Sequence, residues 1–481
     1  MNRKRTGKTV SPVLVVDLDG TLIRSDMLYE TFWSAFAADW TMPLRALMAL
    51  RQGKGALKRA LAARAQVDVT TLPYDAEVLD RVRAWRAGGG RTALVSASDQ
   101  QLVSAIAAHL GLFDVAHGST EGGNLKGPAK AEFCTTTFGT GGFHYMGDAA
   151  ADLPVWQAAA RAITVNAAPA TRAAVDRLGR EAEHLATVPA PGRAYLRALR
   201  PHQWMKNLLV FVPMFTAHQM TPGNILASLA AFAAFSLIAS SVYVLNDLLD
   251  LSADRSHPRK RTRPFAAGAI PIAQGTGMAA GLLIAGLGIS ALLGLQFVLV
   301  MLGYFALTTG YSLYLKRRLV VDICALAVLY TIRILAGGAA TELPISVWLL
   351  AFSIFLFFAL AAVKRQAELV DGIASGKVTA HGRGYHVDDL PLVESMATSA
   401  GYVAVLVMAL YASSASVTGL YSAPHMLWGI CLVLLYWISR MVMVAHRGKM
   451  HDDPVVFAVK DPVSRSCVIL MAAFGIAGTV L

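Results

Sequence analysis

Beyond about residue 200 the chain is a succession of apolar runs, each of about 18–24 residues, the length a helix needs to cross a bilayer. No other feature constrains the fold as much. A segment in hydrocarbon must satisfy its own backbone N–H and C=O groups, which leaves only helices or a closed barrel. The expected spans are 206–220, 225–246, 272–293, 296–314, 320–338, 346–363, 396–415, 425–443 and 465–481. Alternate connections, at 247–271, 315–319, 364–395 and 444–464, all contain Arg or Lys, whereas 221–224, 294–295, 339–345 and 416–424 contain none. That asymmetry predicts a multi-pass protein of the inner membrane with its amino terminus and basic connections in the cytoplasm.

Composition agrees. Only 15% of the 481 residues are charged, against about 25% in an ordinary soluble domain. The net charge of +12 follows the topology and suits anionic ligands, so no nucleic-acid partner is expected. Up to about residue 180 the sequence reads as soluble, 181–200 as a linker containing Thr187-Val-Pro-Ala-Pro-Gly192, and 201–481 as the membrane domain. The apolar run Val13–Val16 is cut short by Asp17, which argues against a signal peptide. Cys134, Cys324, Cys431 and Cys467 lack metal-ligand spacing.

In the soluble part, Val13–Val16 reads as a buried strand ending in Asp17-Leu-Asp-Gly-Thr-Leu22, and Thr92–Val95 as another ending in Ser96-Ala-Ser98. A third, Phe143–Met146, ends in Gly147-Asp148, with Asp152 four residues on. Open parallel sheets place ligands just past the carboxyl ends of their strands, so the three ends predict one site. This pattern resembles the haloacid dehalogenase superfamily of Mg²⁺-dependent phosphatases over about residues 12–170. The resemblance implies an α/β Rossmann-like fold with a helical cap at about 24–90. It also implies Asp17 as nucleophile, Asp19 as general acid and base, Ser96 as phosphoryl ligand, and Asp17, Asp148 and Asp152 around the metal. Lys126 is the expected motif lysine and Lys130 the alternate. The cap aromatics Phe32, Trp33, Phe36 and Trp40 are expected in its core.

The membrane part contains Asn246-Asp-Leu-Leu-Asp-Leu-Ser-Ala-Asp254 at the end of an apolar run, followed by His257-Pro-Arg-Lys-Arg-Thr-Arg-Pro264. On a continuous helix Asp247, Asp250 and Asp254 share a face. Clustered ionisable groups at membrane depth are costly unless they bind something. The stretch resembles the first aspartate motif of the UbiA superfamily, intramembrane transferases that build on polyprenyl chains. The resemblance implies that Asn246, Asp247, Asp250 and Asp254 hold a diphosphate through Mg²⁺, with Asp247 and Asp250 catalytic, while Lys260 and Arg263 hold phosphate oxygens. Carboxylates locked onto neighbouring arginines would count against it.

A second aspartate-rich motif, usual in the family's aromatic prenyltransferases, is missing. Tyr311, Lys316, Asp322, Arg333, Lys364, Arg365 and Glu368 stand in its place, and Arg200-Pro-His-Gln-Trp-Met-Lys-Asn207 opens the domain. Lys206 and Asn207 face a phosphate or belong to an interfacial anchor with Trp204. Asp322 and Arg333 either pair with each other or touch substrate; Glu368 binds a second Mg²⁺ or pairs with Lys364. These variants resemble a branch that joins phosphoribosyl pyrophosphate to polyprenyl phosphate, which implies Lys206, Asn207, Tyr311, Lys316, Lys364 and Arg365 as ligands of two anionic substrates. The expected function is a transferase making a lipid-linked ribose 5-phosphate, with a phosphatase that removes the 5-phosphate, for surface glycans. The alternatives are an aromatic prenyltransferase and a phosphatase on an inert membrane anchor.

Overall fold

The computed structural model describes every residue except 1–11, 121–122, 188–191, 375–383, 415–416, 418, 451–452 and 481. The chain forms two compact bodies, 1–199 with 243–279, and 200–242 with 280–481. The segment bearing the aspartate motif therefore packs with the N-terminal body.

In the first body six parallel strands form one sheet in the order β3-β2-β1-β4-β5-β6. They are β1 Val13–Val16, β2 Thr92–Asp99, β3 Val115–Ser119, β4 Phe143–Gly147, β5 Arg161–Val165 and β6 Glu181–Leu185. β1 is buried along its whole length and lies between β2 and β4, with Val15 opposite both Ala93 and Tyr145. A continuous apolar run, Val-Leu-Val-Val, suits a strand covered on both faces. The register brings the ends of β1, β2 and β4 together, as expected. β6 lies within the expected linker and instead completes the sheet edge. Most of the Pro- and Gly-bearing stretch that follows lies outside the described residues.

The cap is shorter than expected. It comprises α1 Met27–Ala38, α2 Met42–Arg51 and α3 Lys54–Ala62. The helix Ala76–Ala87, which had been assigned to it, buries Val78, Leu79 and Val82 against sheet residues Leu14 and Leu94. Trp33 is buried and Phe32 and Phe36 pack around it, but Trp40 is 74% exposed, against expectation.

Eight helices among the described residues are long and apolar enough to cross a membrane, from Pro222–Leu249 to Pro462–Val480. The expected ninth span, 206–220, is a 3₁₀ stretch Pro201–Phe211 followed by the short helix Val212–Thr216. Its backbone approaches the helix Val321–Thr341 so closely that a Cβ at Gly337 would overlap the carbonyl oxygen of Val210. Close helix approach through small residues is the usual packing device in membranes. The core of the second body joins Tyr330 and Ile334 to Phe357, Leu360 and Trp437.

Candidate functional site

At the carboxyl end of the sheet, Asp17, Asp148 and Asp152 each place a carboxylate oxygen within 4.8 Å of the others; no other such trio occurs among the described residues. Gly20 allows this approach: it has φ +72°, and a Cβ there would overlap the Asp148 carboxylate. Lys130 enters from below, its Nζ 2.9 Å from Asp17 Oδ2 and 3.3 Å from Asp152 Oδ1, and it is buried. Lys126, the expected motif lysine, is exposed, so the alternate Lys130 holds the contact with Asp17. The physical reason is where the helix Pro128–Phe138 begins: Lys130 falls in its first turn, Lys126 in the loop before it.

Asp19 is held from two sides. Its Oδ1 accepts the Met27 N–H of α1 at 2.7 Å; its Oδ2 accepts Ser98 Oγ at 2.6 Å and Ser96 Oγ at 3.4 Å. Ser96 and Ser98, the two hydroxyls at the end of β2, therefore both lie in the site. From the cap, Lys58 Nζ reaches Ala97 O at 2.5 Å and Asn124 Oδ1 at 3.1 Å.

Burial dominates the electrostatics here. It pushes Asp17 up to about 7 against the pull of Lys130, and the charges of Asp152 and Asp19 add to the rise. Burial likewise raises Asp19 to about 6, with Asp26 adding to it. Asp148 rises to about 8, from burial and then from Asp17 and Asp152. Burial works against the charge on Lys130, but Asp17 and Asp152 outweigh it and hold the ammonium above its ordinary range. Asp148 makes no side-chain hydrogen bond or ion pair among the described residues. Such crowded, under-neutralised oxygens fit a hard divalent cation.

The aspartate motif lies across a helix break, with Asp250 between the helices Pro222–Leu249 and Leu251–Ser256. Arg263 Nη1 sits 3.1 Å from Asp247 Oδ1 and 2.7 Å from Asp254 Oδ2, so these two carboxylates do share a side. Lys260 is 4.0 Å from Asp254. This differs from the expected metal cluster: Asp247, Asp250 and Asp254 do not converge within 4.8 Å, and Arg263 occupies two of them. Locking onto an arginine was the adverse outcome, and it is met at Asp247 and Asp254 but not at Asp250, which forms no ion pair among the described residues. Two of the three carboxylates thus share Arg263. Burial raises Asp254 against the pull of Arg263 and Lys260.

In the second body Lys206 and Lys364 converge on Asp453, at 2.9 and 3.0 Å from its Oδ2, while Tyr330 OH donates to Oδ1 at 2.9 Å. Burial would raise Asp453, but Lys364 and Lys206 outweigh it and hold its carboxyl well below the usual carboxylate range. Beside them the Arg333 guanidinium lies 4.9 Å from the Phe235 ring, 5.4 Å from Tyr304 and 5.6 Å from Tyr330. Its Nε donates to Asn207 Oδ1 at 3.0 Å, and Asn207 Nδ2 donates to Ser236 Oγ at 2.9 Å. Asn207 is therefore committed to orienting Arg333, and Trp204 donates to Ser240.

Several expected contacts fall elsewhere. Arg365 is fully buried and pairs with Asp322 at 2.8 Å and with Glu368, one turn on, so its charge is already spent within the protein. Tyr385 OH also donates to Asp322, at 2.6 Å. Asp322 and Glu368 thus both pair with Arg365. Tyr311 and Lys316 are half-buried and form no ion pair or hydrogen bond with this cluster. Asp453, read from sequence as part of a connector, is the residue most plainly missed; an Asp-Pro at a helix start signalled only an N-cap, which it also is.

A parallel sheet with acids and a lysine at its strand ends beneath a helical cap defines an α/β domain of the phosphatase kind, and the rest defines a multi-pass membrane fold bearing an aspartate motif. Residues 208–460 match the UbiA prenyltransferase family and residues 14–157 match the haloacid dehalogenase-like hydrolases. The chain belongs to the UbiA prenyltransferase family and carries a haloacid dehalogenase-like domain at its amino end. It is 39% identical over 454 residues, 94% of this chain and 88% of the other, to uncharacterized protein y4nM of Sinorhizobium fredii. Nodulation protein NoeC of Azorhizobium caulinodans is 38% identical over 59% of this chain and 92% of its own. Decaprenyl-phosphate phosphoribosyltransferase of Mycolicibacterium smegmatis is 32% identical over 60% of this chain and 92% of its own.

Proposed function

We propose that the chain is a bifunctional enzyme of the cytoplasmic membrane. Its membrane part transfers 5-phosphoribose from phosphoribosyl pyrophosphate to a polyprenyl phosphate, and its N-terminal domain then removes the 5-phosphate, giving polyprenyl-phosphoryl ribose for surface glycans. The observation that carries the transferase reading is the convergence of Lys206 and Lys364 on Asp453, with Arg333 against Tyr330, which itself donates to Asp453. Two cations on one carboxylate, with a third cation beside them, suit a second anionic substrate, which a neutral aromatic acceptor would not supply. The relative from Mycolicibacterium smegmatis supports the same reading.

In the transfer a phosphate oxygen of the lipid bonds to the anomeric carbon as the bond to pyrophosphate breaks, and the electron pair leaves with pyrophosphate. Asn246, Asp247, Asp250 and Asp254 would hold Mg²⁺ there, and Asp17, Asp148 and Asp152 would hold it in the phosphatase; in both it neutralises phosphate charge. Arg263, now on Asp247 and Asp254, would turn to the diphosphate with Lys260. In the phosphatase Asp17 attacks phosphorus and Asp19 protonates the departing ribose oxygen. Asp19 then takes a proton from the water that cleaves the aspartyl-phosphate. A group held near 6 suits both halves of that exchange. Lys130 favours the ionised form of Asp17 against the burial that raises it, and Ser96 and Ser98 line the phosphoryl position.

Purified protein given Mg²⁺, phosphoribosyl pyrophosphate and polyprenyl phosphate should release pyrophosphate and then inorganic phosphate. Asp17→Asn should stop at the 5-phosphate product, and Asp247→Asn/Asp250→Asn should release neither. Activity only with an allylic diphosphate and an aromatic acceptor would replace this reading with ring alkylation.

A further inference from the structure

Six large apolar side chains within the described part of residues 13–199 are exposed, and five of them, Trp40, Leu44, Leu47, Met48 and Leu50, fall on or next to the cap helix α2. Their exposures run from 46% to 74%. Leu44, Leu47 and Met48 are spaced i, i+3 and i+4, so they form one face of α2, and Trp40 lies in the turn just before the helix. The opposite face is already used: Met42 and Ala46 pack with Ala35 and Leu61 in the cap core. α2 is thus apolar on two sides, one of which has no place in the phosphatase fold.

Charge and position indicate what covers it. Residues 40–67 contain six cations, Arg45, Arg51, Lys54, Lys58, Arg59 and Arg64, and no carboxylate. Of these, Arg45, Arg51, Arg59 and Arg64 are exposed. An apolar face with a tryptophan beside it, flanked by arginines, is the composition of a helix lying in the headgroup region of an anionic bilayer. The position agrees. Ala37 and Ala38, at the end of α1, line a cavity of about 300 Å³ with Leu248 and Leu249, the last residues of the span Pro222–Leu249, of which only the end from Tyr243 lies in the same body. α2 starts four residues after Ala38, close to where that span leaves the membrane.

We propose that α2 is an interfacial membrane-binding helix. Trp40, Leu44, Leu47 and Met48 enter the boundary between headgroups and acyl chains of an anionic leaflet, and Arg51, Arg59 and Arg64 meet its phosphates. The cap is thereby held at the bilayer surface.

The test uses the full chain in nanodiscs of phosphatidylcholine with phosphatidylglycerol, taking the Trp40 fluorescence as the difference from Trp40→Phe. Lipids brominated in the upper acyl chain should remove at least about half of it, as burial at that depth requires. In Leu44→Glu/Leu47→Glu, where both side chains are exposed and the fold is kept, that quenching should be lost while the melting temperature and hydrolysis of p-nitrophenyl phosphate stay unchanged. Replacing phosphatidylglycerol by phosphatidylcholine should weaken the quenching. Trp40 fluorescence that ignores brominated lipid overturns the proposal, whether iodide reaches the residue (a solvated face) or does not (a face covered by a second copy). Equal quenching in the double glutamate variant overturns it as well.

Discussion

Lys130 and Lys126 are one helical turn apart in sequence, yet only Lys130 touches Asp17. Lys130→Met should lower phosphatase kcat by about 10²–10³-fold, the cost of removing a fixed charge from a buried phosphoryl site. Lys126→Met should stay within about threefold, as exposed substitutions do. Steady-state kinetics on a soluble phosphomonoester compares them. The acids make a second prediction. Asp17, Asp19 and Asp148 have folded values of about 7, 6 and 8 against 3.8 unfolded. Raised carboxyls contribute stability that is complete below about pH 4 and is lost as pH rises through 6 to 8. Without metal, the melting temperature of the N-terminal body should therefore fall between pH 5 and 8.5, and Mg²⁺ should raise it more at pH 8.5 than at pH 5. Differential scanning fluorimetry with and without a chelator measures both; equal Mg²⁺ shifts at the two pH values would sink the metal assignment. At this scale the meeting of Asp17, Asp148 and Asp152 was legible, because Asp17 and Asp148 directly follow strands and Asp152 lies one turn further on. The lysine was not, because its role depends on where a helix begins, and Gly127-Pro128 marks that start only weakly.

Between elements, the contact least visible in sequence is Glu30 of α1 with Arg255, in the helix that holds Asp254. The carboxylate takes both guanidinium nitrogens, at 2.6 and 3.0 Å, and accepts Ser25 Oγ at 2.5 Å, with both side chains about 95% buried. The same α1 holds Asp19 through the Met27 N–H, and Trp33 in it donates to Thr276. Breaking a buried pair on one side costs about 3–5 kcal/mol, because a charge is left behind. Arg255→Met or Glu30→Met alone should lose about that much, and the double variant should recover most of it, in denaturant unfolding followed by α1 hydrogen exchange. Simple additivity would mean that the ion pair does not couple these segments. The partners are 225 positions apart, and no local pattern joins them. The expected span at 206–220 failed for a related reason. Hydropathy registers an apolar run but not Pro201 and Pro213, nor the close approach at Gly337 that holds the segment in a 3₁₀ stretch against another helix.

At the scale of the whole chain, both halves were legible as classes, since each motif is contiguous and each sits at the end of an apolar segment. The cationic group beside Asp453 was only partly legible: Lys206, Lys364, Arg333 and Asp453 come from four separated stretches, and which cation meets which acid is decided by packing. What the fusion accomplishes kinetically follows from the linkage. On the proposed function, two sites on one chain would meet a shared lipid product at an effective concentration of about the millimolar range, whatever the bulk enzyme concentration. Inorganic phosphate from the full reaction should therefore rise without a lag and in proportion to enzyme on dilution. Asp17→Asn and Asp247→Asn/Asp250→Asn, each inactive in one half, should complement one another when mixed in a shared vesicle. In separate nanodiscs the released phosphate should instead fall about tenfold per enzyme for every tenfold dilution, because transfer is then a bimolecular encounter. A mixture in separate discs that matched the intact chain at every dilution would show that the lipid product exchanges freely, and that joining a phosphatase to this membrane fold has no kinetic consequence.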